Sequence, residues 1–436
     1  MKKNLNNGVI RVIPMEQKLF TEILPLYKSK NNNSYSIRIR IRLTDPIDAD
    51  ILRNAVDNTM KRYPYFCVRL LKKGDEFVFV DNQSPVVIAN VPQGTELNAA
   101  ESNYHMISFS GYDNWIVMDI FHGLTDGIGA YEVIRTLLFY YCSQRYNKTI
   151  SEEGIRTLKD DIPLEEWECP VIKTTNLPIP RRYEMTPPLN PITAARLQTE
   201  KIAIVYSVMT AESDFMKFTR DNGGSPGTMV ALLLSRSIAK LFPATRDVIR
   251  IILSVNQRKA LHAPLAHQSL VGGAFLEYGD VLCHLPLREQ IEAYREMVSN
   301  QTQEDRVLAG VASTYSLTKM LLAQNTAEER IKMASSADEM ASHVGTACVS
   351  YVGKADFKEA EKYVQEFHAW SYSSLPITIQ ISAVNGKFTF DFIQKFNSPI
   401  YINAFLKELD EHGIFYDFQD GMLEKLPNIK LPWLKK

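Results

Sequence analysis

The segment Phe121-His122-Gly123-Leu124-Thr125-Asp126-Gly127-Ile128-Gly129 carries the residues best suited to chemistry. A short, mostly apolar run from Trp115 to Phe121 ends at His122, and a long amphipathic segment runs from near Gly127 to about Arg145, so the spacing predicts strand, loop, helix. A histidine that leaves a strand end into a glycine-rich loop can present its imidazole from a rigid base, as a general base requires. Asp126, four residues on, stands at the entry to the helix. A carboxylate there either satisfies free backbone N–H groups or pairs with a cation, and it can hold the loop's shape without touching a substrate. The plainer alternative is a loop histidine with its hydrogen bonds satisfied beside an ordinary helix cap. At this composition His-x-x-x-Asp-Gly arises by chance in roughly one chain in fifty, so the spacing alone does not decide.

Other reactive side chains suggest less. His262 and His267 share a proline-containing loop without metal-ligand spacing, and His412 before Gly413 reads as a cation at a helix C-terminus. The five cysteines, Cys67, Cys142, Cys169, Cys283 and Cys348, are odd in number, widely spaced and never Cys-x-x-Cys. Neither a disulfide framework nor a metal site is expected from them. Lys72-Lys73 and Arg181-Arg182 are basic pairs suited to phosphates or simply to solvent, and no phosphate-cradling glycine loop accompanies them.

The elements that must position His122 are legible in outline. From Tyr35 to Leu43, Ile37, Ile39 and Ile41 alternate with Arg38, Arg40 and Arg42, a period of two that puts one face on a core and leaves an arginine face at least partly wet. Asp48 can cap a helix from about Ala49 to Arg62, ended by Pro64. Val68–Leu71 and Glu76–Val80 form a hairpin pattern. Between Pro163 and Pro191 there are seven prolines in 29 residues, which prevents regular helix or central strand. This predicts a first domain at 1–162, a linker at 163–199 and a second domain at 200–436. In the latter, strands are expected near 202–209, 248–255, 347–352, 377–383 and 388–392, the last two joined by an Asn385-Gly386 turn. Helices are expected near 213–220, 228–241, within 287–324, and at 402–411. Strands and helices mix without a strict βαβ rhythm, which favours two α+β layers over a doubly wound sheet.

Composition bounds the function. At 436 residues the chain exceeds one comfortable core, and 45% hydrophobic with 23% charged residues is ordinary globular usage. The 49 basic against 50 acidic residues leave a net charge of −1, which provides no chain-wide field for nucleic acid or anionic lipid. No apolar stretch approaches the roughly 18 residues of a membrane span, and the N-terminal lysines have no apolar run behind them, so a cytoplasmic protein is expected.

His122 to Gly127 resembles the His-x-x-x-Asp-Gly signature of the coenzyme A-dependent acyltransferase superfamily, which includes chloramphenicol acetyltransferase, plant acyltransferases, alcohol acetyltransferases and nonribosomal-peptide condensation domains. Arg62-Tyr63-Pro64 is similar to that superfamily's Arg-[Phe/Tyr]-Pro segment. Ser254-Val255-Asn256-Gln257-Arg258-Lys259 resembles the Pro-Val-Asn-Leu-Arg-Lys segment of alcohol acetyltransferases, and Val349-Ser350-Tyr351-Val352-Gly353 sits where relatives often carry Ser-Asn-x-Gly. Phe121 replaces the first of the two histidines found in many members, Tyr351 replaces the usual asparagine, and the Asp-Phe-Gly-Trp-Gly motif of plant members is absent. The resemblance therefore points to the bacterial alcohol acetyltransferase-like branch.

The resemblance implies two chloramphenicol acetyltransferase-like subdomains, each a mixed sheet with flanking helices, and an active-site tunnel between them. Acyl-coenzyme A would enter as co-substrate, with no permanent cofactor, and a small alcohol, or as second choice an amine, would accept the acyl group. His122 would be the base; Asp126, Gly127 and Arg258 would support the site through an Asp126–Arg258 bridge; Ser350 would be a candidate oxyanion donor. The alternatives are a surface arginine at 258 and an ordinary strand hydroxyl at 350. Two rival functions stay open: a stand-alone condensation-type enzyme that takes its acyl group from an acyl carrier protein, and a degenerate member that binds without turnover.

Overall fold

Period-two alternation from Ser36 to Leu43 and helical spacing after it build the sheet-and-helix layering that frames the His122 loop. The structure, a computed structural model, describes residues 23–28, 35–171 and 186–432. Arg181-Arg182 and the middle of the proline-rich segment lie outside the described residues. The first half of the chain runs α1 (Ile23–Lys28), β1 (Ser36–Leu43), α2 (Ala49–Arg62), β2 (Val68–Lys73), β3 (Glu76–Asp81), β4 (Ile88–Ala89), β5 (Ile107–Tyr112), β6 (Trp115–Phe121) and α3 (Gly127–Arg145). The second half runs α4 (Pro191–Ala194), β7 (Ala203–Ala211), α5 (Glu212–Asp221), α6 (Pro226–Leu241), β8 (Ile249–Asn256), β9 (Val271–Tyr278), α7 (Leu287–Gln301), α8 (Glu304–Leu322), α9 (Ala327–Ala341), β10 (Ala347–Lys354), β11 (Val364–Ser371), β12 (Ile377–Val384), β13 (Lys387–Gln394), α10 (Ile400–Glu411) and β14 (Asp417–Glu424). No helix among the described residues is long and apolar enough to cross a membrane.

Two mixed sheets with flanking helices result, ordered β11-β1-β6-β5-β4 and β14-β7-β13-β12-β10-β8-β9. Asp48 caps α2 by accepting from the N–H groups of Asp50 and Ile51. Leu52 and Val56 of α2, Ile134 and Leu137 of α3, and Ile39 and Ile41 of β1 share one buried cluster, which seats both helices on the first sheet. A second cluster joins α6, through Val230 and Leu233, to Ile251, Val349, Ile379 and Phe390 of the second sheet.

A division of the chain at 163–199 is not a division of the sheets. Strand β11, from the second half, pairs antiparallel with β1, with Ile39 opposite Ala369 and Arg40 opposite His368. Leu97 likewise bridges to Ile429 near the far end of the chain.

The arginine face of β1 is also drier than its alternation suggests. Arg38 is 1% exposed; its Nε and Nη2 donate to Asp119 at 2.8 and 2.9 Å, and its Nη1 pairs with Glu424 at the end of β14. Arg40 is half-buried, its guanidinium 4.5 Å from the Trp115 ring and 5.0 Å from that of Trp370. The end of β14 covers this face, and sequence periodicity on β1 cannot reveal a cover that comes from almost 400 residues away.

Next to these arginines the two sheets are joined by a buried charge. The Nδ1 of His368 on β11 lies 3.0 Å from Asp391 on β13, which also accepts from the Ser207 hydroxyl on β7 at 2.5 Å. Burial opposes a charged ring, but the Asp391 carboxylate, with help from Glu366, outweighs it and raises the pKa of His368 to about 9. Since an unfolded histidine titrates at about 6.5, this pair's stabilisation is complete below about pH 6.5 and is lost as pH rises through about 9. Denaturant midpoints of the wild type and His368→Gln should therefore differ most on the acid side of that window and converge above it. A gap that does not change with pH would show that the ring is neutral.

Candidate active site

The loop that follows β6 is held on three sides. The His122 N–H donates to the Tyr35 carbonyl at 2.7 Å, the Thr125 hydroxyl donates to the His267 carbonyl at 2.6 Å, and Asp126 is the N-cap of α3, its Oδ1 accepting from the N–H groups of Ile128 and Gly129. Two of its glycines are required by close approach. A Cβ on Gly127 would lie 2.3 Å from the Val352 side chain, and one on Gly129 would lie 2.5 Å from the His267 carbonyl oxygen. The second half of the chain thus presses on the loop too closely for any larger residue.

Asp126 fills both roles its position allowed. Besides capping α3 it accepts from Arg258, with Nη1 at 2.8 Å from Oδ2 and Nη2 at 3.0 Å from Oδ1, and Oδ2 also takes the Leu270 N–H at 2.9 Å. Arg258 is 4% exposed, so it is not a surface cation. Its remaining N–H groups donate to the carbonyls of Ala266 and Gln268, both at 2.8 Å, and to the Asn256 side chain at 3.3 Å. The bidentate pair ties the N-terminus of α3 to the end of β8.

A cavity of about 190 Å³ opens at this junction, lined by His122 together with residues of β1, α3, β8, β10, β11 and β12. Its origin is a parting of strands. Parallel β8 and β10 pair only at Ile251–Leu253 with Ala347–Val349. Beyond that register Ser254 to Asn256 and Ser350 to Val352 diverge, and both stretches line the cavity. Ser350 therefore shares a cavity with His122, and Tyr351 stands beside it with its phenol pushed by burial to about 12.

The imidazole of His122 is half-buried. Burial lowers its pKa below 6.5, against the opposing pull of backbone hydrogen bonding at His122 and Thr125 and of the Asp126 charge. The net result is a ring kept neutral at physiological pH, facing a cavity and held by a loop that cannot shift without breaking the contacts above.

A second buried cluster behind the loop completes the support. Glu166 is fully buried and takes a bidentate pair from Arg62 at 2.7 and 2.8 Å, and the Tyr65 hydroxyl bridges Glu166 at 3.2 Å and the Nδ1 of His267 at 2.6 Å. Burial lowers the pKa of His267 to about 4, so it serves as a neutral hydrogen-bonding strut behind Thr125. The Arg62-Tyr63-Pro64-Tyr65 segment signals half of this cluster; Glu166 in the proline-rich stretch carries no signal of its own. His262 makes an exposed contact with Glu304, His412 ends α10, and Lys72-Lys73 lie in β2, outside the cavity lining. Among the described residues no group of three or more His, Cys, Asp or Glu is placed to hold a metal ion.

No protein-family model and no curated protein sequence matches the chain. Solved structures do. Polyketide synthase associated protein 5 from Mycobacterium tuberculosis superposes at TM-score 0.57 with 14% identity, covering 92% of this chain and 98% of that one. TRI101 of F. sporotrichioides, complexed with coenzyme A and T-2, gives 0.55 with 10% identity over 90% and 98%. The condensation domain from the Monacolin K polyketide synthase MokA gives 0.57 with 12% identity over 92% and 97%. The chain therefore has the two-subdomain chloramphenicol acetyltransferase-like fold that these proteins share, as its motifs led us to expect.

Removal of one partner from a buried ion pair strands the other. Arg258→Ala should cost about 3–5 kcal/mol in denaturant unfolding. Lys217→Ala, which breaks an exposed pair with Asp221, should cost under about 1 kcal/mol. Equal effects would mean that the Asp126–Arg258 pair is solvated in solution.

Proposed function

We propose that the protein is an acyltransferase that moves an acyl group from coenzyme A to the hydroxyl of a small acceptor, an amine being the second choice. The observation that carries this reading is the His122 imidazole, held neutral by burial in a cavity between two sheets of the shared fold. Coenzyme A in the TRI101 complex supports the donor class.

In this reading the acceptor oxygen attacks the thioester carbonyl carbon while His122 takes its proton. The tetrahedral intermediate collapses with cleavage of the C–S bond, and the proton passes from His122 to the departing thiolate, giving an ester and free coenzyme A. A positioned general base contributes about 10²–10⁴-fold. Ser350, on the wall that faces the same cavity, is the proposed donor to the oxyanion, a role worth roughly 10²–10³ in rate. Asp126, Gly127 and Arg258 are positioning residues: their side chains or backbone are consumed in holding the loop.

A second reading keeps the chemistry and changes the donor. The MokA condensation domain shares the fold as closely as any structure named above, at TM-score 0.57, and the reading that goes with it takes the acyl group from a carrier protein.

Three measurements test these readings. His122→Ala should lower kcat at least about 10²-fold with little change in melting temperature, because the ring acts on the proton in flight. Undiminished turnover would refute the mechanism. Since burial depresses the pKa of His122, kcat/KM should be flat through neutrality and fall only below pH 6.5 as the base protonates. Acetyl-coenzyme A alone should raise the melting temperature. A flat response to short and long acyl-coenzyme A, with a shift on adding an acylated carrier protein, would select the second reading.

A further inference from the structure

Ile128 is the second residue of α3, and its N–H donates to Asp126 Oδ1 at 3.0 Å. The helix residues that follow, among them Ala130, Val133 and Ile134, belong to the core of the first sheet, but Ile128 joins no apolar cluster among the described residues and stays half-buried. On either side it has only glycine. At Gly127 the Val352 side chain, and at Gly129 the His267 carbonyl, occupy the space where a further side chain would stand. A large apolar side chain stabilises a fold chiefly through the core it enters, and this one enters none.

Its surroundings show what it does instead. On one side lies the His122 cavity. On the other lies a cavity of about 350 Å³ bounded by α3, the 152–160 segment and the loop at 264–267. Ile128 is the one residue common to the two linings, so a single side chain stands between them. It is a stiff barrier, because a β-branched residue in a helix has one strongly preferred χ1 rotamer and the bond to Asp126 holds its backbone. The two compartments also differ in charge. Asp126 and Arg258, the charged residues of the His122 cavity, engage each other, whereas Glu132, Glu152, Arg156 and Asp160 line the second cavity. An aliphatic chain that reaches Ile128 meets a hydrocarbon stop with a charged compartment behind it.

We propose that Ile128 is a specificity-determining residue: it closes the His122 cavity towards the second one and sets how long an aliphatic chain can extend past His122. That chain belongs either to the acyl group or to the acceptor, and both present the same hydrocarbon. The names of the ligands rest on the acyl-transfer reading, but the length limit on binding does not.

The test titrates n-alkanols from ethanol to decanol, and acyl-coenzyme A from acetyl to decanoyl, against the wild type, Ile128→Ala and Ile128→Phe. Binding is read by thermal shift and turnover by thiol release. Affinity should rise about fourfold per methylene up to a limiting length and then level off. In at least one series Ile128→Ala, which removes every side-chain carbon beyond Cβ, should move that limit out by about two to three methylenes, and Ile128→Phe should move it in. The series that moves identifies the chain. A limit that stays in place in both series for both variants would overturn the proposal. So would a ligand-free melting temperature lowered by Ile128→Ala as far as by Ile134→Ala in the core, since that marks a packing residue. Shifted binding limits without thiol release would instead remove the acyl-transfer reading and leave this one standing.

Discussion

Asp126 is the point on which the rest of the site depends. Its two oxygens receive five N–H donors, two from the first turn of α3, two from Arg258 and one from Leu270. Taking a carboxylate and a guanidinium out of water costs several kcal/mol each, and their attraction offsets that only when the remaining lone pairs and protons are also bonded. Here they are. Such a pair is a poor source of stability compared with packed apolar residues, but it tolerates one geometry only. That geometry sets the distance between the loop after β6 and the end of β8, and hence the width of the cavity that His122 faces.

Three buried or half-buried histidines show how environment divides the work of one side chain. His368 has Asp391 at 3.0 Å, which outweighs desolvation and keeps the ring charged as a tie between sheets. His267 has no carboxylate so placed; burial prevails and it remains neutral, a strut bonded to Tyr65. His122 is neutral by the same cause, yet the nearest carboxylate, Asp126, has its lone pairs committed elsewhere. The proposed role, taking and returning a proton, needs that middle position: no partner strong enough to hold the ring charged, and no packing that closes it off.

How much of this could be read from the sequence depends on whether the signal was local. The strands at 36–43 and 115–121, the capped helix at 49–62 and the turn at Asn385-Gly386 are legible because their periodicity and turn chemistry lie within a few residues. The long helical stretch at 287–324 resolves into α7 and α8, with α9 beyond it unforeseen. β5, β9, β11 and β14 escaped notice, and β11 shows why: Val-Gln-Glu-Phe-His-Ala-Trp-Ser has both faces covered, so a buried His and Trp replace the polar alternation that would have marked it. In the site, His122 and Asp126 stand out by type and spacing, Arg258 and Ser350 only through the resemblance of their segments, and all four line one cavity. Glu166 does not stand out, since it matters only through contacts made with distant parts of the chain.

The crossing of β11 into the first sheet bears on how ligands reach His122. Were the two halves separate sheets joined by a linker, the cleft could open by rotation, as between ordinary domains. Instead β11 shares a full antiparallel ladder with β1, while the strand that follows it, β12, lies within the second sheet, and the His368–Asp391 pair crosses between the two. Rotation would have to break backbone hydrogen bonds and a buried ion pair together. The cavity therefore has to exist already in the closed molecule, and the parting of β8 from β10 supplies it without any movement of the halves. A site made this way holds the His122 loop and the cavity wall in one fixed relation without any closing movement.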